Sequence, residues 1–135
     1  MSTPNPTIIT GTVTGGRRIG SRIGFPTANL RLENRPEIEN GVYAAAVKTP
    51  QGWYGGMVNI GHRPTVTENG ERLLEVHLFG FDGNLYGTEI RVELVRYIRP
   101  EVKFGSLEEL KAEIENDKRR ILTLLKDDKR LQPTL

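Results

Sequence analysis

Cysteine is absent from the 135 residues, which excludes a disulfide framework and any thiolate metal site. The length suits one domain and is enough to bury a core without such staples. No run approaches the roughly 18 apolar residues of a membrane-spanning helix. Residues 1–7 also lack the basic-then-apolar pattern of a secretory signal. A soluble, cytoplasmic chain with no membrane partner is the expectation. Excess charge is equally scarce: 19 Lys and Arg stand against 17 Asp and Glu, a net +2, too little to mark a nucleic-acid surface. One Trp and four Phe leave few rings on which bases could stack. No nucleic-acid partner is therefore expected. No internal repeat, linker or low-complexity segment is present.

What the chain has in quantity is turn chemistry. Fifteen Gly and eight Pro, set among many Val, Ile and Thr, favour short strands and tight connections. Residues 8–14, 41–48, 53–60, 73–81 and 89–98 read as strands. Thr49-Pro50-Gln51-Gly52 turns the second into the third, making a hairpin. Asp82-Gly83-Asn84 reads as a second hairpin turn. In the last strand Ile90, Val92 and Leu94 point one way, Arg91 and Glu93 the other. Residues 31–40 are polar, hold Pro36 and read as a loop.

Ser106 opens a helix at about 106–126. Its hydroxyl can accept the Glu109 N–H while the Glu109 carboxylate reaches back, a capping box. Leu107, Leu110, Ile114, Ile121 and Leu125 recur at helical spacing. Acidic residues in the first turn and basic ones in the last suit the helix dipole. Six or so strands followed by one helix suggest a closed antiparallel barrel with a helix packed on it.

Four segments are candidates for chemistry. The glycine-rich basic loop 15–24 carries Arg17, Arg18 and Arg22. Its glycines would let backbone N–H groups approach a nucleotide phosphate, and it reads equally as a surface loop. It is neither a Walker A motif nor a Rossmann fingerprint. Thr27 and Asn29 sit two apart, so extended backbone turns both toward one side. Their oxygens suit Mg²⁺, or they hydrogen-bond the turn after Pro26. Glu75 shares a strand face with His77 and Phe79. There it is either a functional carboxylate, able to take a proton from an acceptor hydroxyl, or an exposed residue on a half-wet strand. His77 reads as a packing residue, and nothing pairs with His62 to hold a metal. Residues 96–104 interleave charges and aromatics, as a ligand lid or a solvated connection would.

Together these segments carry a more specific pattern. Gly24-Phe25-Pro26-Thr27-Ala28-Asn29 is followed by Gly41-Val42-Tyr43-Ala44, then by Asn59-Ile60-Gly61 with Pro64-Thr65, and by Glu75-Val76-His77. Asp82-Gly83-Asn84-Leu85-Tyr86-Gly87 and Arg99-Pro100-Glu101 running to Ser106-Leu107 complete it. In this order the chain resembles the riboflavin kinase family over about residues 10–125. That module stands alone in eukaryotes and forms the C-terminal half of bacterial bifunctional FAD synthetases.

The resemblance implies a mainly β fold: a six-stranded antiparallel Greek-key barrel at about 8–98, a flavin lid at about 96–105, and the helix packed against the barrel. It implies transfer of the ATP γ-phosphoryl group to riboflavin, giving FMN. Glu75 would be the base, and Thr27 and Asn29 would hold Mg²⁺, with Mn²⁺ or Zn²⁺ as alternatives. ATP would lie against Gly16, Arg17, Gly20, Ser21, Arg22, Gly24, Pro26, Thr27, Asn29 and His77. The flavin would lie against Arg96, Arg99, Glu101 and Phe104. An upstream FMN adenylyltransferase domain in the full-length protein is compatible with the same resemblance. The alternative is a non-catalytic barrel that binds flavin or nucleotide. Ser21, Val66, Gly80 and Asn84 depart from the family pattern and leave Thr27, Asn29 and Glu75 untouched.

Overall fold

The computed structural model describes residues 7–14, 27–32, 35–62, 72–81 and 83–131. Six strands make one antiparallel sheet: β1 (Thr7–Thr12), β2 (Ala28–Leu32), β3 (Gly41–Thr49), β4 (Gly52–His62), β5 (Arg72–Leu78) and β6 (Glu89–Arg99). Their spatial order is β1-β6-β3-β4-β5-β2. The run β6-β3-β4-β5 puts the fourth strand beside the first of a three-strand meander, which is the Greek key. The two outer strands approach each other just past β1, where Thr14 N–H donates to the Asn29 carbonyl at 2.9 Å. That contact nearly closes the sheet into a barrel and shields both edges.

The period-2 alternation divides the strands between two environments. Inward-facing Leu30, Leu74, Ile60, Val76, Val58, Tyr43, Val47, Ile90 and Val92 fill the barrel. The outer face of β3 and β4 is covered by α1 (Leu107–Leu125), whose Ile121 and Leu125 pack on Val42, Ala44 and Ile98. Beyond α1, a single 3₁₀ turn at Lys129–Leu131 lies against β4. No described helix is long and apolar enough to cross a membrane.

The β3–β4 hairpin forms as its sequence predicts. Thr49 Oγ1 accepts the Gln51 N–H and donates to the Gly52 carbonyl, both at 3.0 Å. Gly52 takes φ +120°, a conformation other residues resist.

Four expectations are corrected. Residues 31 and 32 belong to β2 rather than to a loop; five residues bounded by polar segments are too few for alternation to declare itself. Asp82-Gly83-Asn84 does not turn a hairpin, because β5 pairs with β4 and β2 while β6 pairs with β1 and β3. The connection instead crosses the barrel end and buries Leu85 in the core. The last turn of α1 holds no basic residue, and Leu107 at its start is 48% exposed, so the apolar stripe is buried only in the C-terminal half. The cap is asymmetric as well: Ser106 Oγ accepts the Glu109 N–H at 3.1 Å, but the Glu109 carboxylate accepts from Gly105 N–H at 3.0 Å.

Candidate active site

The register of four strand pairs lines up the site. Asn29 on β2 lies opposite Glu75 on β5, and Glu75 lies opposite Asn59 on β4. Asn59 faces Val42 on β3, and Val42 faces Arg99 on β6. Directly opposed residues share a face, so Asn29, Glu75, Asn59, Val42 and Arg99 form one row across the outer side of the barrel. At about 4.8 Å per strand the row is roughly 19 Å long. A parallel row runs His77, Met57, Ala44 and Arg96.

The sequence-predicted metal and base residues thus meet at one end of these rows, and Arg99 of the flavin candidates stands at the other. Thr27 lies immediately before β2. His77 is buried and packs edge-on against Phe79, with ring centroids 5.3 Å apart. Lys118 of α1 stands 5.6 Å over the other end of that pair, at the Phe79 ring.

At the base end the amide oxygens on either side of Glu75 stand out. Asn29 Oδ1 and Asn59 Oδ1 are both buried and have no hydrogen-bond partner among the described residues. Buried polar atoms are nearly always paired, so an orphaned one needs an explanation. Here two occur in one row, separated by a carboxylate. Hydroxyl, amide and carboxylate oxygens at Thr27, Asn29 and Glu75 are hard donors that suit a divalent cation such as Mg²⁺. Among the described residues no group of three His, Cys, Asp or Glu is placed to hold a metal ion.

At the other end Arg99 is fully engaged. Its Nη2 lies 2.7 Å from Asp117 Oδ2, and Nε donates to Asp117 Oδ1 at 3.1 Å. Nη1 donates to the Pro100 carbonyl at 3.1 Å. Asp117 is 1% exposed, so this is a buried ion pair tying the end of β6 to the middle of α1. Phe104 stacks on the same guanidinium at 5.8 Å. Glu101 places its carboxylate directly over Gly61, two residues along β4 from Asn59, where any Cβ would collide with it. The 99–104 segment is therefore folded back over the row.

Arg96 is separated from this group. It is exposed and lines a cavity of about 440 Å³ with Ile38, Tyr43, Leu94 and Tyr97. Burial pushes the Tyr43 hydroxyl pKa up there, with Glu39 adding to it. Gly16, Arg17, Gly20, Ser21, Arg22, Gly24 and Pro26 lie outside the described residues. Asn59 is the residue missing from the predicted set. It is a polar residue alternating with Met57 and Gly61 on a covered strand face, but only the pairing register reveals that it neighbours Glu75.

Comparison with known proteins agrees with this fold. The family model described as "Flavokinase: Riboflavin kinase" matches residues 3–125. A bifunctional riboflavin kinase/FMN adenylyltransferase of Haemophilus influenzae is 46% identical over 114 residues, covering 83% of this chain and 36% of the relative. The chain thus spans about a third of that relative's length. A solved chain described as a macrolide-efflux protein from Streptococcus pneumoniae has a TM-score of 0.74 at 34% identity, over 84% of this chain and 38% of that one. The riboflavin kinase from Trypanosoma brucei shares the fold, with a TM-score of 0.63 at 24% identity, over 96% of this chain and 85% of its own. With a family match that runs through β1, the Asn29–Glu75–Asn59 row and all of α1, this chain belongs to the riboflavin kinase family.

Proposed function

We propose that this domain transfers the γ-phosphoryl group of ATP to the 5′-hydroxyl of riboflavin, with Glu75 as the base. The observation that carries this reading is the Glu75 carboxylate set between two orphaned amide oxygens, on the face that the 99–104 segment overhangs. Phosphoryl transfer passes through a loose transition state, so a protein contributes mainly positioning and charge neutralisation. A carboxylate within reach of the primary alcohol orients it and accepts its proton as the bond to phosphorus forms. Thr27 and Asn29 would hold Mg²⁺, which would supply charge neutralisation to the phosphates.

The 15–24 loop supplies the basic, glycine-rich segment suited to the nucleotide phosphates. Glu101 and Phe104 would border the flavin, with Arg99 fixing the segment that carries them. In the full-length protein this kinase domain, comprising residues 1–135, is compatible with an upstream FMN adenylyltransferase domain like that named in the Haemophilus influenzae relative.

The test is incubation of the purified chain with riboflavin and Mg·ATP, followed by chromatography of the flavins. FMN should accumulate and FAD should not, because all the matched segments belong to the kinase module. Flavin binding without FMN formation would instead identify a non-catalytic barrel. FAD formation from FMN and ATP would overturn the restriction to one reaction.

A further inference from the structure

Resting on that reading, we infer that Asn59 is a substrate-selecting residue: its side-chain oxygen accepts a hydrogen bond from the 4′-hydroxyl of the ribityl chain, next to the hydroxyl phosphorylated at Glu75. Asn59 Oδ1 is buried and has no partner among the described residues. Its strand position is directly opposite Glu75. Asn29 Oδ1 is in the same condition on the other side of that carboxylate. The base end of the row therefore presents acceptors, and whatever fills it must bring donors or positive charge.

The two reactants differ in what they bring. The phosphates of ATP carry acceptors alone and cannot satisfy an amide oxygen directly. A cation can, and Thr27 and Asn29 claim it at the β2 side. Asn59 lies on the opposite side of Glu75, toward Val42 and Arg99, where the segment 99–104 folds over. The acceptor alcohol approaches Glu75 with a polyol tail, and each secondary hydroxyl on it is a donor. Adjacent strands are about 4.8 Å apart, so a ligand whose terminal hydroxyl sits at Glu75 lays its next carbons beside β4. The nearest orphaned acceptor there is Asn59 Oδ1. A site built to bond a substrate hydroxyl rejects the analogue that lacks it, because the buried acceptor is then left unpaired.

The experiment sets riboflavin and 4′-deoxyriboflavin in competition for one enzyme sample. The ratio of their kcat/KM values does not depend on how much of the sample is folded. The wild-type chain should prefer riboflavin by about tenfold or more. Asn59→Ala should bring the ratio close to one and raise KM for riboflavin while leaving KM for ATP within about twofold. Asn59→Leu keeps the side-chain shape without the acceptor. It should flatten the ratio equally and melt no lower than wild type, since it removes an unpaired buried oxygen. A wild-type ratio in either folded variant overturns the assignment, as does a lowered melting temperature in Asn59→Leu with selectivity intact. Absence of FMN from the wild-type chain would instead bring down the kinase reading itself, together with this one.

Discussion

The outer face of the barrel has two polar ends, and they are finished differently. At the β1 side Glu93 is buried, and both of its oxygens are taken: Oε1 by Arg130 and Oε2 by Arg91 at 2.8 Å. Arg130 also binds Asp128 and lies 4.9 Å over the Trp53 ring. At the β2 side two buried amide oxygens flank Glu75 with nothing bonded to them among the described residues. A satisfied polar cluster holds elements in place, whereas an unsatisfied one costs stability until a ligand arrives. The first end clamps the 3₁₀ turn to the barrel; the second has the form of a binding site. Arg99 and Asp117 lie between these extremes, fully paired yet at the end of the site's own row.

Exchanging the acid at each end breaks the comparison most sharply. Glu75→Gln keeps the size and one acceptor oxygen but removes the base, so kcat should fall by about 10²–10⁴-fold with ligand binding largely kept. Its melting temperature should stay close to wild type. Glu93→Ala should do the reverse. It strands guanidinium groups that are a third or more exposed, so about 2 kcal/mol of stability is expected to go, less than for a fully buried pair, while kcat of the folded fraction holds. Steady-state FMN formation and thermal melts on the two variants decide this. A near-wild-type turnover in Glu75→Gln would make Glu75 an orienting residue and turn attention to His77.

Asp117 tests the intermediate case. Asp117→Ala leaves the partly buried Arg99 with only the more distant Glu113 carboxylate at 3.7 Å, which should cost about 2 kcal/mol, less than for a fully buried pair. The segment it anchors carries Glu101 and Phe104, so KM for riboflavin should rise more than KM for ATP. Hydrogen exchange at residues 99–105 should quicken in the variant and slow in wild type when FMN and ADP are added. Unchanged exchange in wild type would count against a closing segment.

The sequence made the barrel, the helix and the candidate carboxylate legible because each has a local signature. Alternation marked β6, Pro and Gly marked the β3–β4 turn, and Ser106 marked the helix start. Pairing was not legible. Nothing local to Asp82-Gly83-Asn84 says that β6 crosses to β1 and β3 instead of folding back on β5. Nothing local to Ala28–Leu32 says that five residues complete the sheet. Asn59 went unassigned for the same reason: its meaning lies in being opposite Glu75, a relation between residues 16 apart that only the register supplies. Asp117 was hidden in a helix whose periodicity pointed to leucines and isoleucines, although its pair with Arg99 is the buried ionic link to the barrel.

Thr27 and Asn29 should show smaller effects that can be rescued. On the proposed reading each would offer one oxygen to a cation that takes its other ligands from phosphate and water. Thr27→Ala and Asn29→Ala should therefore lower activity by about 10–10²-fold at limiting Mg²⁺, since a misplaced phosphate costs rate steeply. Raising Mg²⁺ should recover part of the loss. Wild-type activity at low Mg²⁺ in both variants would remove the metal from this end of the row. Glu93→Ala, by contrast, should show no metal dependence beyond that of wild type.

The smallest effect is a pH dependence confined to the satisfied end. The Asp128 carboxylate accepts from Arg130 Nε at 3.0 Å and Nη2 at 2.6 Å, and from the Arg130 backbone N–H at 3.0 Å. The hydrogen bonds from the Arg130 side chain, ahead of the backbone bond and the charge itself, hold its pKa below the ordinary aspartate value. A carboxyl depressed in the folded state binds its proton more weakly there than in the unfolded chain, so the unfolded state gains protons first as pH falls. Its contribution is therefore complete above the ordinary value of about 3.9 and disappears as pH drops through the lower, folded value. The partner guanidinium is 34% exposed, so solvent screening limits the contribution to about 0.5–1 kcal/mol. Asp128→Asn should be less stable than wild type by that amount at pH 7, and the gap should be smaller at pH 3. Urea melts at the two pH values measure it, and kcat at pH 7 should not move. A gap that widened with acid would mean the Arg130 cluster draws its strength elsewhere, with Glu93 as the remaining carboxylate in contact with it.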